Sequence, residues 1–249
     1  MTGDSSGALV TFEGGEGSGK STVCTQVFRL VGEAGYGCWK GGEPGGTPLG
    51  ACWRQQILNP ASPLAPQAEL FLFLADRAQG FVENVAPRLA RGEVVFLDRH
   101  RDSTMAYQGG GRGYDAGFIE QANNIATAPM LAGGVGRARL PDLTILLDVP
   151  PEEGLRRSRR TEFGEGVADR IESEDIAFHG RLREAFLEIA KREPNRVVVL
   201  DASAPLADII ASAHGLVTRT LARKGILPKA SSKYPIQRGM SAVKCRKLS

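Results

Sequence analysis

A chain of 249 residues, 42% hydrophobic and 24% charged, is long enough to bury a sizeable core as one large domain or two small ones. Its formal net charge of +3 is too small to argue for a nucleic-acid partner, and no apolar run approaches the length of a membrane span. Cys24, Cys38, Cys52 and Cys245 have neither CxxC spacing nor a zinc pattern, so a reduced, cytoplasmic setting is expected; the first residues lack the basic and apolar segments of a signal peptide.

Residues 8–13 form a short apolar run that ends in glycines and read as a buried strand. Ser21 to Ala34 has helical spacing, with Val23, Val27, Leu30 and Val31 on one face. Gly35 and Gly37 stop that helix, and Cys38-Trp39-Lys40 is a weak second strand. Gly45, Gly46 and Pro48 then make a loop. Pro66 to Arg91 reads as one long helix or a kinked pair, interrupted at Pro87. Val94 to Leu97 is a strand, and residues 103–128 are helical in two pieces broken by Gly109-Gly110-Gly111. Leu143 to Val149 is another strand, followed by a helix from Pro151 to Arg160 and a glycine-containing loop over 161–168. Glu172 to Arg192 is helical, Val197 to Leu200 is the last strand, and Ala204 to Leu221 the last helix. Strands alternating with helices imply βαβ units, and strands that are apolar throughout fit a parallel sheet covered on both faces. The tail from Arg223 to Ser249, rich in Lys, Arg, Ser, Gly and Pro, is either a disordered basic extension or an ordered terminal arm.

The sharpest signal is Gly14-Gly15-Glu16-Gly17-Ser18-Gly19-Lys20-Ser21, which matches GxxxxGK[ST] between a strand and a helix. Glycines let the backbone wrap so that successive N–H groups point at phosphate oxygens, and the helix that follows adds its positive end. Lys20 supplies a cation for the β- and γ-phosphates, and the Ser21 hydroxyl can ligate Mg²⁺. The loop alone does not separate a kinase from a GTPase, an ATPase motor or a transporter subunit. At the end of the strand at 94–97 stands Asp98-Arg99-His100. Asp98 fits a carboxylate that holds Mg²⁺ through water, and Arg99 a second phosphate; the plainer alternative is a helix-capping Asp beside a surface Arg.

The triplet does not stand alone. Phe12 to Thr22, Glu43-Pro44-Gly45-Gly46-Thr47, Ala75-Asp76-Arg77-Ala78-Gln79 and Leu97-Asp98-Arg99-His100 resemble the blocks of thymidylate kinases. So do Asp102 to Gly113, Pro141-Asp142-Leu143-Thr144 and Asp169-Arg170-Ile171-Glu172, in the family's order, over about residues 8 to 222. The resemblance implies an α/β fold, the three-layer P-loop NTPase sandwich, with a five-stranded parallel sheet and helices on both faces. It implies a kinase domain over 1–222 with a lid at about 156–170, followed by the basic extension 223–249.

The implied activity is ATP-dependent phosphorylation of dTMP to dTDP, with Mg²⁺ and in a homodimer. Gly14 to Thr22 would bind ATP: Gly14, Gly15, Glu16, Gly17, Ser18, Gly19, Lys20, Ser21 and Thr22. Phe73 would stack on the thymine ring, and Arg77 would donate to the base, helped by Gln108 and Thr104. Tyr107 would pack on the deoxyribose. For Phe73 and Tyr107 the competing role is ordinary core packing. Glu16 matches the acidic residue that takes the acceptor's 3′-hydroxyl; Glu43 belongs to the same dTMP set, and Arg99 and Arg54 would meet the acceptor phosphate. Asp98 would position Mg²⁺ or that phosphate. Among Arg156, Arg157, Arg159 and Arg160, Arg157 and Arg159 are the expected catalytic lid residues, resembling the bacterial arrangement, although some of the four belong to a solvated helix face.

Three departures stand out: Gly42 where the family usually has an Arg, a longer lid diluted by Glu162 and Glu165, and the extra tail. They leave room for a kinase acting on a modified or other pyrimidine monophosphate, or for a nucleotide-binding partner protein that transfers nothing.

Overall fold

A computed structural model describes residues 7–131, 134–158, 160–161, 164–165 and 169–228. In chain order the elements are β1 (Ala8–Glu13), α1 (Lys20–Glu33), β2 (Cys38–Gly42), α2 (Pro48–Leu58), α3 (Pro66–Gly80), α4 (Ala86–Ala90), β3 (Val94–Asp98), α5 (Arg101–Thr104) and α6 (Ala116–Ala126). Then follow β4 (Met130–Leu131), β5 (Gly134–Val135), β6 (Leu143–Asp148), α7 (Pro151–Arg157), β7 (Arg160–Thr161), β8 (Gly164–Glu165), α8 (Ile176–Arg192), β9 (Val197–Asp201) and α9 (Leu206–Arg223). The five long strands form one sheet in the order β2-β3-β1-β6-β9, with every neighbouring pair parallel. The short pairs β4–β5 and β7–β8 are antiparallel hairpins apart from it.

β1 is buried at all six of its positions because helices cover both faces of the sheet. On one face Val10, Phe12, Phe96 and Ile145 meet Val23, Val27 and Val31 of α1 and Ala213 and Val217 of α9. On the other, Leu9, Val95 and Leu97 meet Phe81, Val85 and Leu89, while Leu146 packs under Leu182 and Phe186 of α8. This is the α/β sandwich expected from the sequence, and its five strands fall where the apolar runs put them.

Four local expectations are corrected. Pro48 does not lie in a loop but starts α2, whose N-cap Thr47 accepts the Gly50 amide through Oγ1 at 2.9 Å. The 66–91 helix widens into a π-turn at Phe81–Val85 ahead of Pro87, which absorbs the clash a proline ring makes with the carbonyl four residues back. The glycines 109–111 do not break their helix but sit inside a second π-turn, Met105–Gly111, and the break comes after them. A β-carbon at Gly110 would lie 2.4 Å from Ala185 Cβ and one at Gly111 2.5 Å from the Phe178 ring, so these glycines admit α8. Finally, α8 begins at Ile176 rather than Glu172, behind an Asp175 cap; residues 170–173 form turns.

Candidate active site

The P-loop leaves β1 at Gly14 and enters α1 at Lys20, as the strand–loop–helix pattern requires. Gly17 and Gly19 hold left-handed φ values of 63° and 82°. Gly19 caps α1 without a side-chain hydrogen bond, and no acidic residue occupies the first turn, so nothing there competes with an anion for the helix terminus. Lys20 is 8% exposed and donates to Gly15 O at 3.3 Å. Burial and then the charge of Arg99 lower its pKa, against the pull of Glu16, Asp98 and Glu13. The side chains of Ser21 and Thr22 are exposed on the first turn of α1. Below the loop, a cavity lined by Gly15, Glu16, Asp148, His179, Arg183 and Phe186 opens toward α8.

Across from the loop, at the end of β3, stand Asp98 and Arg99, both half-buried. The Arg99 guanidinium donates to Gly14 O at 2.9 Å and Ser103 Oγ at 3.3 Å, and pairs with Glu16 Oε1 at 2.7 Å. It also lies over the Tyr107 ring, 4.9 Å from its centre, while the Tyr107 hydroxyl donates to Glu16 Oε1 at 2.5 Å. Burial would raise the pKa of Glu16, but Arg99, Lys20 and the Tyr107 hydroxyl overcome it and hold the carboxylate at about 2. Glu16, Arg99 and Tyr107, distant in sequence, therefore form one charged cluster joining the P-loop to the space beyond it.

That space is walled by α2, α3 and the helix that starts at α5. Phe73, half-buried, packs with Tyr107 and Ile57 in one apolar cluster, one helical turn before Arg77 on α3. Arg77 is wholly buried: Nε and Nη2 meet Glu43 at 2.9 and 2.8 Å, and Nη1 donates to Thr104 Oγ1 at 2.7 Å and Asn123 Oδ1 at 2.6 Å. Burial raises the Glu43 pKa, but Arg77 and His100 together bring it below its ordinary value. Gln108 Nε2 donates to Glu69 Oε1 at 2.9 Å, and Arg112 and Arg170 pair with the same carboxylate at 3.2 and 2.6 Å. Arg54 donates to Pro44 O at 2.9 Å, against the loop that follows Gly42. Gly42 lies beside Asp98 in the sheet register.

At the end of α7, Arg156 and Arg157 both pair with Glu153, at 2.7 and 2.8 Å, and Arg157 also donates to Ala202 O at 2.9 Å. Arg159 lies outside the described residues. The far end of the segment is anchored: Arg170 donates through its backbone to Leu58 O at 3.0 Å and through Nε to Ile57 O at 2.8 Å.

Sequence reasoning missed Asn123, Glu69, His100 and Glu13, all buried polar groups of this neighbourhood. Asn123 carried a usable signal, a polar residue on the apolar face of α6 between Ile119 and Ala126.

A family model described as thymidylate kinase matches residues 12–212, a span that holds the P-loop, Arg99, Tyr107 and α7. The chain belongs to the thymidylate kinase family. The thymidylate kinase of Desulfosudis oleivorans is 42% identical over 205 residues, covering 81% of this chain and 92% of that protein. That of Thermomicrobium roseum is 41% identical over 215 residues, covering 86% and 96%. Among solved structures, the thymidylate kinase from Ehrlichia chaffeensis superposes with a TM-score of 0.66 at 28% identity, covering 85% of this chain and 98% of that one.

Proposed function

We propose that the activity of this thymidylate kinase, ATP-dependent phosphorylation of dTMP to dTDP, is carried by the residues gathered between the P-loop and α3. The Glu16–Arg99–Tyr107 cluster is the observation that carries the reading, because it ties the phosphate cradle directly to an acceptor side. Loose phosphoryl transfer asks little covalent work of a protein, so alignment and positive charge dominate. The backbone of Gly14–Gly19 and the Lys20 ammonium hold the ATP phosphates, and Ser21 and Thr22 complete the first turn of α1. Arg99, with Arg54, holds the acceptor phosphate. Glu16 takes the 3′-hydroxyl, and Tyr107 closes on a deoxyribose. Phe73 gives the base a stacking face. Arg77, fixed by Glu43, supplies donors to the base together with Thr104 and Gln108.

Ser21 and Asp98 offer a hydroxyl and a carboxylate, hard oxygen donors that suit Mg²⁺ while leaving its other positions to phosphate and water. Asp98 is close enough to Lys20 to stabilise its charge, so the two groups share one electrostatic neighbourhood. Bound there, Mg²⁺ would neutralise developing phosphate charge. Residues 156–170 form the closing lid, with Arg157 and Arg159 brought to the transferred group as it shuts; Arg157 must then exchange Glu153 and Ala202 O for phosphate. The kinase domain is 1–222. The extension beyond it runs mostly outside the described residues. Cytoplasmic nucleotide synthesis is the setting we assign; no helix among the described residues is long and apolar enough to cross a membrane.

A coupled ADP-release assay across dTMP, dUMP, UMP, CMP and AMP tests this reading. dTMP is expected to turn over best, and absence of any preference for it would overturn the assignment. Better turnover of another pyrimidine would instead favour the second reading, which rests on Gly42, where the resemblance leads one to expect an arginine, and on the longer lid segment. Lys20→Ala is expected to lower turnover by roughly two to three orders of magnitude; unchanged phosphoryl transfer would remove Lys20 from the mechanism.

A further inference from the structure

Arg99 is the one non-glycine residue with positive φ, 66°, among the described residues. An L-residue with a long side chain adopts that conformation only where its surroundings over-determine it. The restraints are visible. Its own amide donates to Phe12 O at 2.9 Å, and the next amide, of His100, donates to Glu13 Oε1 at 2.8 Å. The other oxygen of Glu13 accepts the Ser103 hydroxyl at 2.5 Å, and Ser103 Oγ accepts from the Arg99 guanidinium. Glu13, one residue before the P-loop begins, thus grips the chain at His100 and Ser103, just after Arg99, while the neighbouring Phe12 carbonyl holds the Arg99 amide itself. It is 0% exposed and makes no ion pair among the described residues, an expensive group to keep at a strand end unless it holds something.

We propose that Glu13 is a positioning residue for the phosphoryl transfer, holding Arg99 in its left-handed turn so that the guanidinium faces both Gly14 and Glu16. The proposal rests on the reading that Arg99 meets the acceptor phosphate. Burial, followed by the charge of Asp102, pushes the Glu13 carboxyl up to about 8, against the hydrogen bonds from Ser103 and His100 and the charge of Arg99. A glutamine keeps the size and the carbonyl that accepts the His100 amide, and its amide nitrogen can donate to Ser103 Oγ in place of the bond that Ser103 gives the carboxyl.

Four variants decide it: Glu13→Ala, Glu13→Gln, Arg99→Lys, and Glu13→Ala combined with Arg99→Lys, each checked by circular dichroism and melting before kinetics. Glu13→Ala is expected to lower kcat/KM for dTMP by tenfold or more, since displacing a positioning group by about 1 Å can cost up to ~100-fold. The KM for ATP should change far less. Glu13→Gln should restore most of the loss, and Glu13→Ala should add little once Arg99 is already Lys, because both act through one group. Wild-type kinetics in Glu13→Ala, an equal rise in both KM values, no rescue by glutamine, or full additivity with Arg99→Lys would each overturn the proposal. Arg99→Lys with unchanged dTMP kinetics would instead sink the Arg99 reading, and Glu13 with it. If Glu13→Ala does not fold, Ser103→Ala takes its place, removing one of the two contacts; unchanged dTMP kinetics there would refute the role.

Discussion

At Gly17 and Gly154 two backbones touch. A β-carbon on Gly17 would lie 1.9 Å from Gly154 O, and one on Gly154 would lie 2.3 Å from Glu16 O. The P-loop therefore has no room for a side chain at residue 17 while Gly154 stays where it is. Gly154→Ala is expected to destabilise the protein by about 1–3 kcal/mol through overpacking and to weaken ATP binding. A melting curve and the KM for ATP would check both, and a normal KM would show that the contact can relax. Glu13 supplies a pH dependence at the same scale. Its folded pKa of about 8 lies above the ordinary 4.5, so the folded state binds the proton more tightly than the unfolded chain does. The stability this gives is full below pH 4.5 and is lost as pH rises through about 8. Urea midpoints at pH 6 and pH 9 should therefore differ less in Glu13→Gln than in the wild type. Some slope remains in the variant, because burial and Glu43 raise Asp76 to about 7 in the same sense. Residues that belong to contiguous motifs were legible in the sequence: Lys20, Arg77, Arg99 and Tyr107 each stand in a string of fixed spacing. The roles of Asn123 and Glu69 were not, even though Asn123 stands out on its apolar helix face, because their partners lie 46 and 39 residues away and only the fold brings them near.

Elements were legible where hydrophobic period decides them and illegible where packing does. β1, β3 and β6 are apolar runs that admit one reading, and α1 repeats its buried valines at helical spacing. The 109–111 run misleads because low helix propensity normally ends a helix, whereas here contact with α8 outweighs it. α2 was hidden because Gly45, Gly46 and Pro48 all signal a loop, although a proline in the first turn behind a threonine also starts a helix. The start of α8 rests on Asp175, whose carboxylate accepts the Phe178 amide at 2.6 Å. Asp175→Ala is expected to cost about 1 kcal/mol. Chemical denaturation would register this as a lower midpoint with unchanged slope, and no shift would mean another group takes over the cap.

At the scale of the molecule, α3 and α6 pack side by side and present exposed Phe71, Phe118 and Ile125, with Val82 in the π-turn after α3. A run of exposed apolar side chains on neighbouring helices is the kind of surface a homodimer, the assembly expected from the sequence, would bury. Light scattering is expected to give twice the 26.6 kDa chain mass, and Ile125→Glu to shift it toward the monomer; a monomeric wild type would remove the assignment. The sheet order carries another consequence. β1 comes first in the chain yet sits in the middle, with Val10 opposite Phe96 on one side and Leu143 on the other. During synthesis this strand leaves the ribosome with nothing to pair against until β3 follows, and its second edge stays bare until β6 arrives. Folding must wait on these distant partners, so the nascent protein carries an unpaired, mostly apolar strand for much of its translation, a standing demand on chaperones.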